Sequence, residues 1–168
     1  MRFRILGPLE LRDSAGRLVR LGAPKQRTLL AVLLLHANRA VAVDMLVEAL
    51  WGERPPRSAG GGLRTYVSGL RRMVGMDGAA GAPGIVVLPG GYQLSVAGEE
   101  LDLLVFERCA AEGQRALAEG QMALAAARLE QALGLWRGRA FEDVPLGAGL
   151  DGELAHLQER RLVVVEPL

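Results

Sequence analysis

Pro55–Met73 reads PPRSAGGGLRTYVSGLRRM, and the rest of the chain is organised around it. From Leu63 onward the apolar residues fall at Leu63, Tyr66, Val67, Leu70, Met73 and Val74, the spacing of a helix with one buried stripe. The opposite face carries Arg64, Thr65, Ser68, Arg71 and Arg72. Five arginines and no acidic residue lie between Arg54 and Met76. A merely solvated face normally mixes both signs. A uniformly cationic one suits a polyanion, because Arg neutralises phosphates and also forks onto a guanine edge.

The charge of the whole chain follows the same division. The net charge of +1 over 168 residues conceals a basic half and an acidic half. Residues 1–96 hold 13 Lys and Arg against 6 Asp and Glu, whereas residues 97–168 hold 7 against 13. That asymmetry predicts two modules, one of which meets a polyanion. Half of the residues are apolar, a globular composition. Lys25 is the single Lys, a bias that codon usage in a GC-rich genome explains as well as function does. One cysteine, Cys109, allows neither an intrachain disulfide nor a CxxC metal site. The N-terminus MRFRILGPLE lacks a secretory core and no apolar run approaches 18 residues, so the expected location is the cytoplasm, away from membranes.

Working outward towards the N-terminus, Met1–Leu11 alternates as two short strands broken at Gly7-Pro8, and Leu18–Leu21 reads as a third. Pro24 suits the first turn of a helix over Lys25–Ala37, whose Leu29, Leu30, Val32, Leu33, Leu34 and Leu35 make it a buried hub. Asn38 is a left-handed cap and His36 a structural residue of the last turn. Asp44–Trp51 is a shorter helix ended by Gly52 and Pro55-Pro56. After the basic helix, Gly75–Gly84 is a glycine-rich flexible loop, and Ile85–Leu88, Pro89-Gly90-Gly91 and Tyr92–Val96 form a hairpin. Tyr92 is expected to anchor that hairpin.

Strands, three helices and a hairpin follow one another in the order of a response-regulator winged helix. LGAPKQRTLLAVLLLHANRAVAVDMLVEALWGERPP, LRTYVSGLRRMV and PGGYQL closely resemble the DNA-binding domain of the Streptomyces antibiotic regulatory protein family, pathway-specific transcriptional activators with an OmpR/PhoB-type winged helix. Further on, Leu101–Gly120 reads as a helix with Asp102 as N-cap. Gln121–Trp136 is a second, with Met122, Leu124, Ala125, Leu129 and Trp136 inward, and Leu150–Val165 a third. DLLVFERCAAEGQRALAEG and ARLEQALGLWRGRAFEDV resemble the start of the family's bacterial transcriptional activator domain, an array of tetratricopeptide-like helix pairs.

The expected fold is therefore α+β: a winged helix over residues 1–97, with a small N-terminal sheet, three helices and a hairpin wing, then an all-α tetratricopeptide-like segment over 98–168. The resemblance implies that residues 63–75 enter the major groove while the wing lies over the backbone. Carried over residue by residue, the DNA-binding positions are Arg57, Arg64, Thr65, Ser68, Arg71 and Arg72, with Arg57 and the helix start near Ser58 holding a phosphate. It also implies direct repeats in promoters, a homodimer on DNA and contact with RNA polymerase, in activating an antibiotic gene cluster. No cofactor, metal or catalytic residue is expected. Lys25 is not in a P-loop, the Gly78, Gly81 and Gly84 spacing is not a dinucleotide fingerprint, and two histidines far from one cysteine make no catalytic pair.

Two departures from the family pattern weaken the expected DNA affinity. Gly60-Gly61-Gly62 stand where the family carries side chains, and each glycine in a helix costs about 0.8–1 kcal/mol relative to Ala. Gly69 stands where the family pattern has Arg, which removes a cation. They favour the rival reading, a helical protein-interaction module whose DNA-reading surface has decayed. At the other end, Leu150, Leu154, Leu157, Val163, Val164 and Val165 stop at Glu166-Pro167-Leu168. Further helices follow in the family, so the chain reads as C-terminally truncated, with residues 150–168 poorly packed in a monomer or covered in a dimer.

Overall fold

The computed structural model describes residues 1–74 and 83–166. Most of the Gly75–Gly84 loop, with the fingerprint positions Gly78 and Gly81, therefore lies outside the described residues, as do Pro167 and Leu168. The chain begins with β1 (Phe3–Arg4) and β2 (Glu10–Leu11), an antiparallel pair in which Phe3 faces Leu11. The expected third strand is reduced to one bridge between Arg12 and Leu18, and Leu18 is exposed. Arg12 and Leu18 sit across the Asp13–Arg17 turn, which is closed by Asp13, and beyond them the Val19 N–H donates to the Leu11 carbonyl at 2.8 Å.

Helix α1 (Pro24–Leu35) starts at the proline and buries every residue from Thr28 to Leu35. Asn38 adopts φ 63°, as its sequence context predicts, and its amide exchanges hydrogen bonds of 3.0 and 2.8 Å with Val96. The end of α1 is thereby tied to the wing. Then β3 (Val41–Ala42), α2 (Val43–Trp51), α3 (Ala59–Val74), β4 (Gly84–Leu88) and β5 (Gly91–Ser95) complete the winged helix. The three strands form one antiparallel sheet in the order β3-β5-β4. Strand β3 is a two-residue addition that the sequence pattern does not show. Tyr92 is buried in this sheet opposite Val41 and Val87, so it anchors the hairpin.

The helical half contains α4 (Asp102–Ala118), α5 (Met122–Leu133) and α6 (Asp151–Val165), with a 3-10 turn over Ala148–Leu150 leading into α6. Helices α4 and α5 form a close hairpin. A Cβ on Gly113 would lie 2.6 Å from a Leu129 methyl, so the glycine is what lets Leu129 reach α4. Two expectations fail here. Met122 and Leu124 are exposed, because α5 turns the narrower face of Ala125, Leu129 and Ala132 towards α4. Trp136 is buried, but beyond the helix end, packed edge-on against Phe106 at 5.5 Å and under the Arg161 guanidinium. On α6 the expected stripe divides. Leu157 and Val164 are buried, as is Leu150 before it, while Leu162, Val163 and Val165 face out.

One apolar core runs through both halves. Asp102 does not cap its own helix; its carboxylate accepts the backbone N–H groups of Ile5 (2.8 and 2.9 Å) and Leu6 (3.0 Å). Its place in the first turn of α4 favours a negative charge. Burial nevertheless pushes its pKa above the ordinary carboxylate value, against the lowering effect of the Leu6 and Ile5 N–H groups and of Arg137. Arg137 pairs with Glu10 at 2.7 Å, and Asp143 takes both the Leu9 N–H and the Arg27 guanidinium. His36 joins α1 to α6 through Glu153 at 2.7 Å, a structural role as expected from its position. The two charge-opposed halves are welded at their junction.

Candidate nucleic-acid interface

Helix α3 spans Ala59–Val74, so it starts one turn before the expected residue 63 and the three glycines are helical; residue 75, the expected end, lies outside the described residues. The turn before it is closed by the Ala59 N–H on the Pro56 carbonyl, and the first helical bond runs from the Gly62 N–H to the Ser58 carbonyl. Ala59, Leu63, Val67, Leu70 and Val74 are buried. That stripe docks α3 on α1, α2 and β4 and fixes which side turns outward.

A polar corner sets the angle of its first turn. Lys25 donates to the Leu50 carbonyl at 2.8 Å, completing the end of α2, and lies 5.5 Å from the Trp51 ring centroid. Trp51 packs on Tyr66 at 6.4 Å, and its ring sits where a Cβ on Gly62 would come within 3.2 Å. Gly62 thus admits the tryptophan. Gly60 and Gly61 face outward beside the Arg64 guanidinium and touch nothing that would oppose a side chain. At the far end Arg2 donates to the Val74 carbonyl.

Of the six residues expected at the interface, Arg64, Thr65, Ser68 and Arg72 are exposed together on the outer face of α3. Thr65 donates to the Gly61 carbonyl at 3.1 Å, and Arg72 lies along the helix towards the Ser68 carbonyl at 3.5 Å. Arg71 is half-buried on the edge of this face. Arg57 is exposed in the turn before the helix, alongside the exposed Arg54. The structure therefore brings one helix face and its preceding turn into a single cationic surface, without an acidic side chain between Arg54 and Val74. The hairpin beside it is different in kind, because residues 84–95 carry no charge. One polar residue beside this surface escapes a reading confined to α3: Gln26, from the first turn of α1, fills the space over Gly69.

Residues 16–94 match the model of the C-terminal domain of transcriptional regulatory proteins, and residues 101–168 match the bacterial transcriptional activator domain. The chain is 41% identical to the regulatory protein DnrI of Streptomyces peucetius, over 99% of its own length and 62% of that protein. It belongs to the Streptomyces antibiotic regulatory protein family. A second member of similar sequence is the regulatory protein AfsR of Streptomyces griseus, 37% identical over 99% of this chain and 16% of that one. The chain thus spans about three-fifths of one relative and a small part of the other. Its fold matches that of Mycobacterium tuberculosis EmbR, solved in complex with a low affinity phosphopeptide, with a TM-score of 0.87. That likeness covers 97% of this chain and 43% of the EmbR chain at 34% identity. The family's two-domain order is the one the structure shows, a winged helix followed by a helical segment.

Burial pushes the Cys109 thiol above its ordinary pKa, which disfavours the reactive thiolate. Among the described residues, no group of three or more His, Cys, Asp and Glu side chains is arranged to hold a metal. No helix there is long and apolar enough to cross a membrane.

Proposed function

We propose that this chain is the DNA-reading part of a transcriptional activator that switches on a biosynthetic gene cluster for a secondary metabolite. The observation that carries the reading is the outer face of α3, where Arg64, Thr65, Ser68 and Arg72 are exposed beside Arg57 without an acidic neighbour on the helix. A helix of this diameter fits the major groove, and its arginines can both neutralise phosphates and fork onto guanine O6 and N7. Thr65 and Ser68 supply short polar contacts between them. Arg57 meets a phosphate ahead of the helix, and Arg71 reaches one from its edge. The uncharged wing would lie along the backbone through main-chain and polar groups, so the affinity rests on α3 more heavily than in a winged helix with a cationic hairpin.

The functional division falls at residues 97 and 98, with the winged helix binding DNA and the helical half meeting protein. Family membership supports the finer points: protomers on direct repeats, a homodimer formed on DNA and contact with RNA polymerase. A gel shift with duplexes from the neighbouring operon, repeated at several salt concentrations, tests the reading. Binding should fall steeply and linearly in log–log form as salt rises, because each neutralised phosphate releases counterions. No shift even at low salt would leave the rival, a protein-interaction module with a decayed reading surface. Against that rival stands the continuity of α3 through all three glycines.

A further inference from the structure

Gly69 has a particular place on α3. On the helix surface it follows Thr65 by one turn and precedes Arg72 by one turn, so it borders the exposed cationic face. A Cβ built there would run into the side-chain nitrogen of Gln26, and the Gln26 amide carbon would stand 3.6 Å from it. Gln26 thus occupies the volume that a residue 69 side chain would take. It comes from the first turn of α1 and is half-buried. Its amide makes no hydrogen bond to another described residue, and being half-buried it is open to a partner from outside the chain. A neutral amide, held against the flank of α3 and left without a protein partner, replaces the cation that Gly69 lacks.

We propose that Gln26 donates its side-chain N–H to a DNA phosphate at the rim of the groove, fixing the register of α3 from outside the helix. This rests on the DNA-binding reading of α3. It also changes the kind of contact made at this point. An amide donor positions the duplex, but it carries no charge and so releases no counterion. Gln26 should therefore contribute to affinity without contributing to salt dependence, unlike every arginine around it.

The experiment measures binding to a fluorescent duplex of random sequence, and to duplexes selected from it, over a range of salt. Gln26→Ala should weaken both by the same factor, about two- to tenfold, with the salt slope unchanged. Gln26→Glu, which keeps the shape but turns a carboxylate towards the phosphate, should weaken binding further. Gly69→Arg should displace Gln26 and steepen the slope by about one unit, and in that background Gln26→Ala should have no additional effect. Wild-type affinity in both Gln26 variants would overturn the proposal, as would a loss confined to one base-pair position or additive effects of Gly69→Arg and Gln26→Ala. If Gln26→Ala lowers the melting temperature, the Gln26→Glu and Gly69→Arg arms still decide. Arg64→Ala with Arg72→Ala, run alongside, separates the two levels. Loss of binding there with wild-type binding in the Gln26 variants defeats this inference alone, whereas a wild-type protein that shifts no duplex defeats both.

Discussion

Two helix starts in this molecule are built in opposite ways. Helix α4 opens on Asp102, whose side chain is fully buried and whose carboxylate holds the N–H groups of Ile5 and Leu6 with Arg137 nearby. Helix α3 opens on Ala59 and three glycines, preceded by an exposed turn with Arg54 and Arg57. At the first, charge is enclosed and both carboxylate oxygens accept backbone N–H groups of the same chain. At the second, charge is left outward and side chains are reduced to hydrogen atoms. A buried charge is tolerated when its partners are fixed, and removing one of them is costly. An outward charge adds little to folding and stays available to a ligand. The difference separates what holds the two domains together from what they present.

Breaking the enclosed start should have the largest effect. Asp102→Ala leaves the Ile5 and Leu6 N–H groups without an acceptor in a dry site, which should cost about 3–5 kcal/mol, read as a lower midpoint in urea. Asp102→Asn keeps an acceptor oxygen and removes the buried charge, so its loss should be clearly smaller. The pH response carries the same information. Burial raises the pKa of Asp102 above its value in the unfolded chain, so its contribution is complete at low pH and is lost as pH rises through the raised value. That decline should be absent from the Asn variant. A decline of the same size in both proteins would assign it to another group.

The open start should respond in the opposite manner, with binding lost and folding kept. Arg64→Ala or Arg72→Ala should cost about 1–3 kcal/mol of affinity if the residue forks onto a guanine, with relaxed specificity at one position. A phosphate contact would instead weaken all sequences alike and make the salt slope shallower by about one unit. Melting temperatures should stay near wild type, because both side chains are exposed. An Arg64, Arg71 and Arg72 triple Ala variant with unchanged binding would remove α3 as the reader.

The contrast was only half legible in the sequence. Periodicity finds the α3 face because a helix states its own exposed side, and the leucine run finds α1 because a segment apolar all round must be central. Asp102 is recognised from sequence as a helix start, but its partners lie 97 and 96 residues away, so local reasoning makes it a cap instead of a clamp. Gly113 and Gln26 escape for the same reason, since each matters through a residue on another helix, Leu129 for the one and Gly69 for the other. Met122 and Leu124 mislead, because periodicity ranks faces by hydrophobicity while α5 packs by size, putting its alanines against α4. Strand β3 exists through its partner β5 and has no pattern of its own at two residues.

The smallest expected effect lies within the open start itself. Gly60 and Gly61 are helical, with Cβ positions no closer than 3.9 Å to Arg64 and clear of everything else described nearby. Alanine at each should lower the entropy of the unfolded chain without strain, worth about 0.4–1 kcal/mol per site and visible as a higher melting temperature. Gly62→Ala is the internal control, because its methyl group meets the Trp51 ring at 3.2 Å and the ring must give way. It should gain less than its neighbours or lose stability. DNA binding by the Gly60→Ala and Gly61→Ala pair then sharpens the comparison. If bare backbone at this turn serves close approach to the duplex, the pair should be more stable and bind more weakly. More stable protein with full affinity would mean that the glycines weaken α3 and give nothing back at the interface. A fall in melting temperature would contradict the helical assignment of residues 60 and 61 altogether.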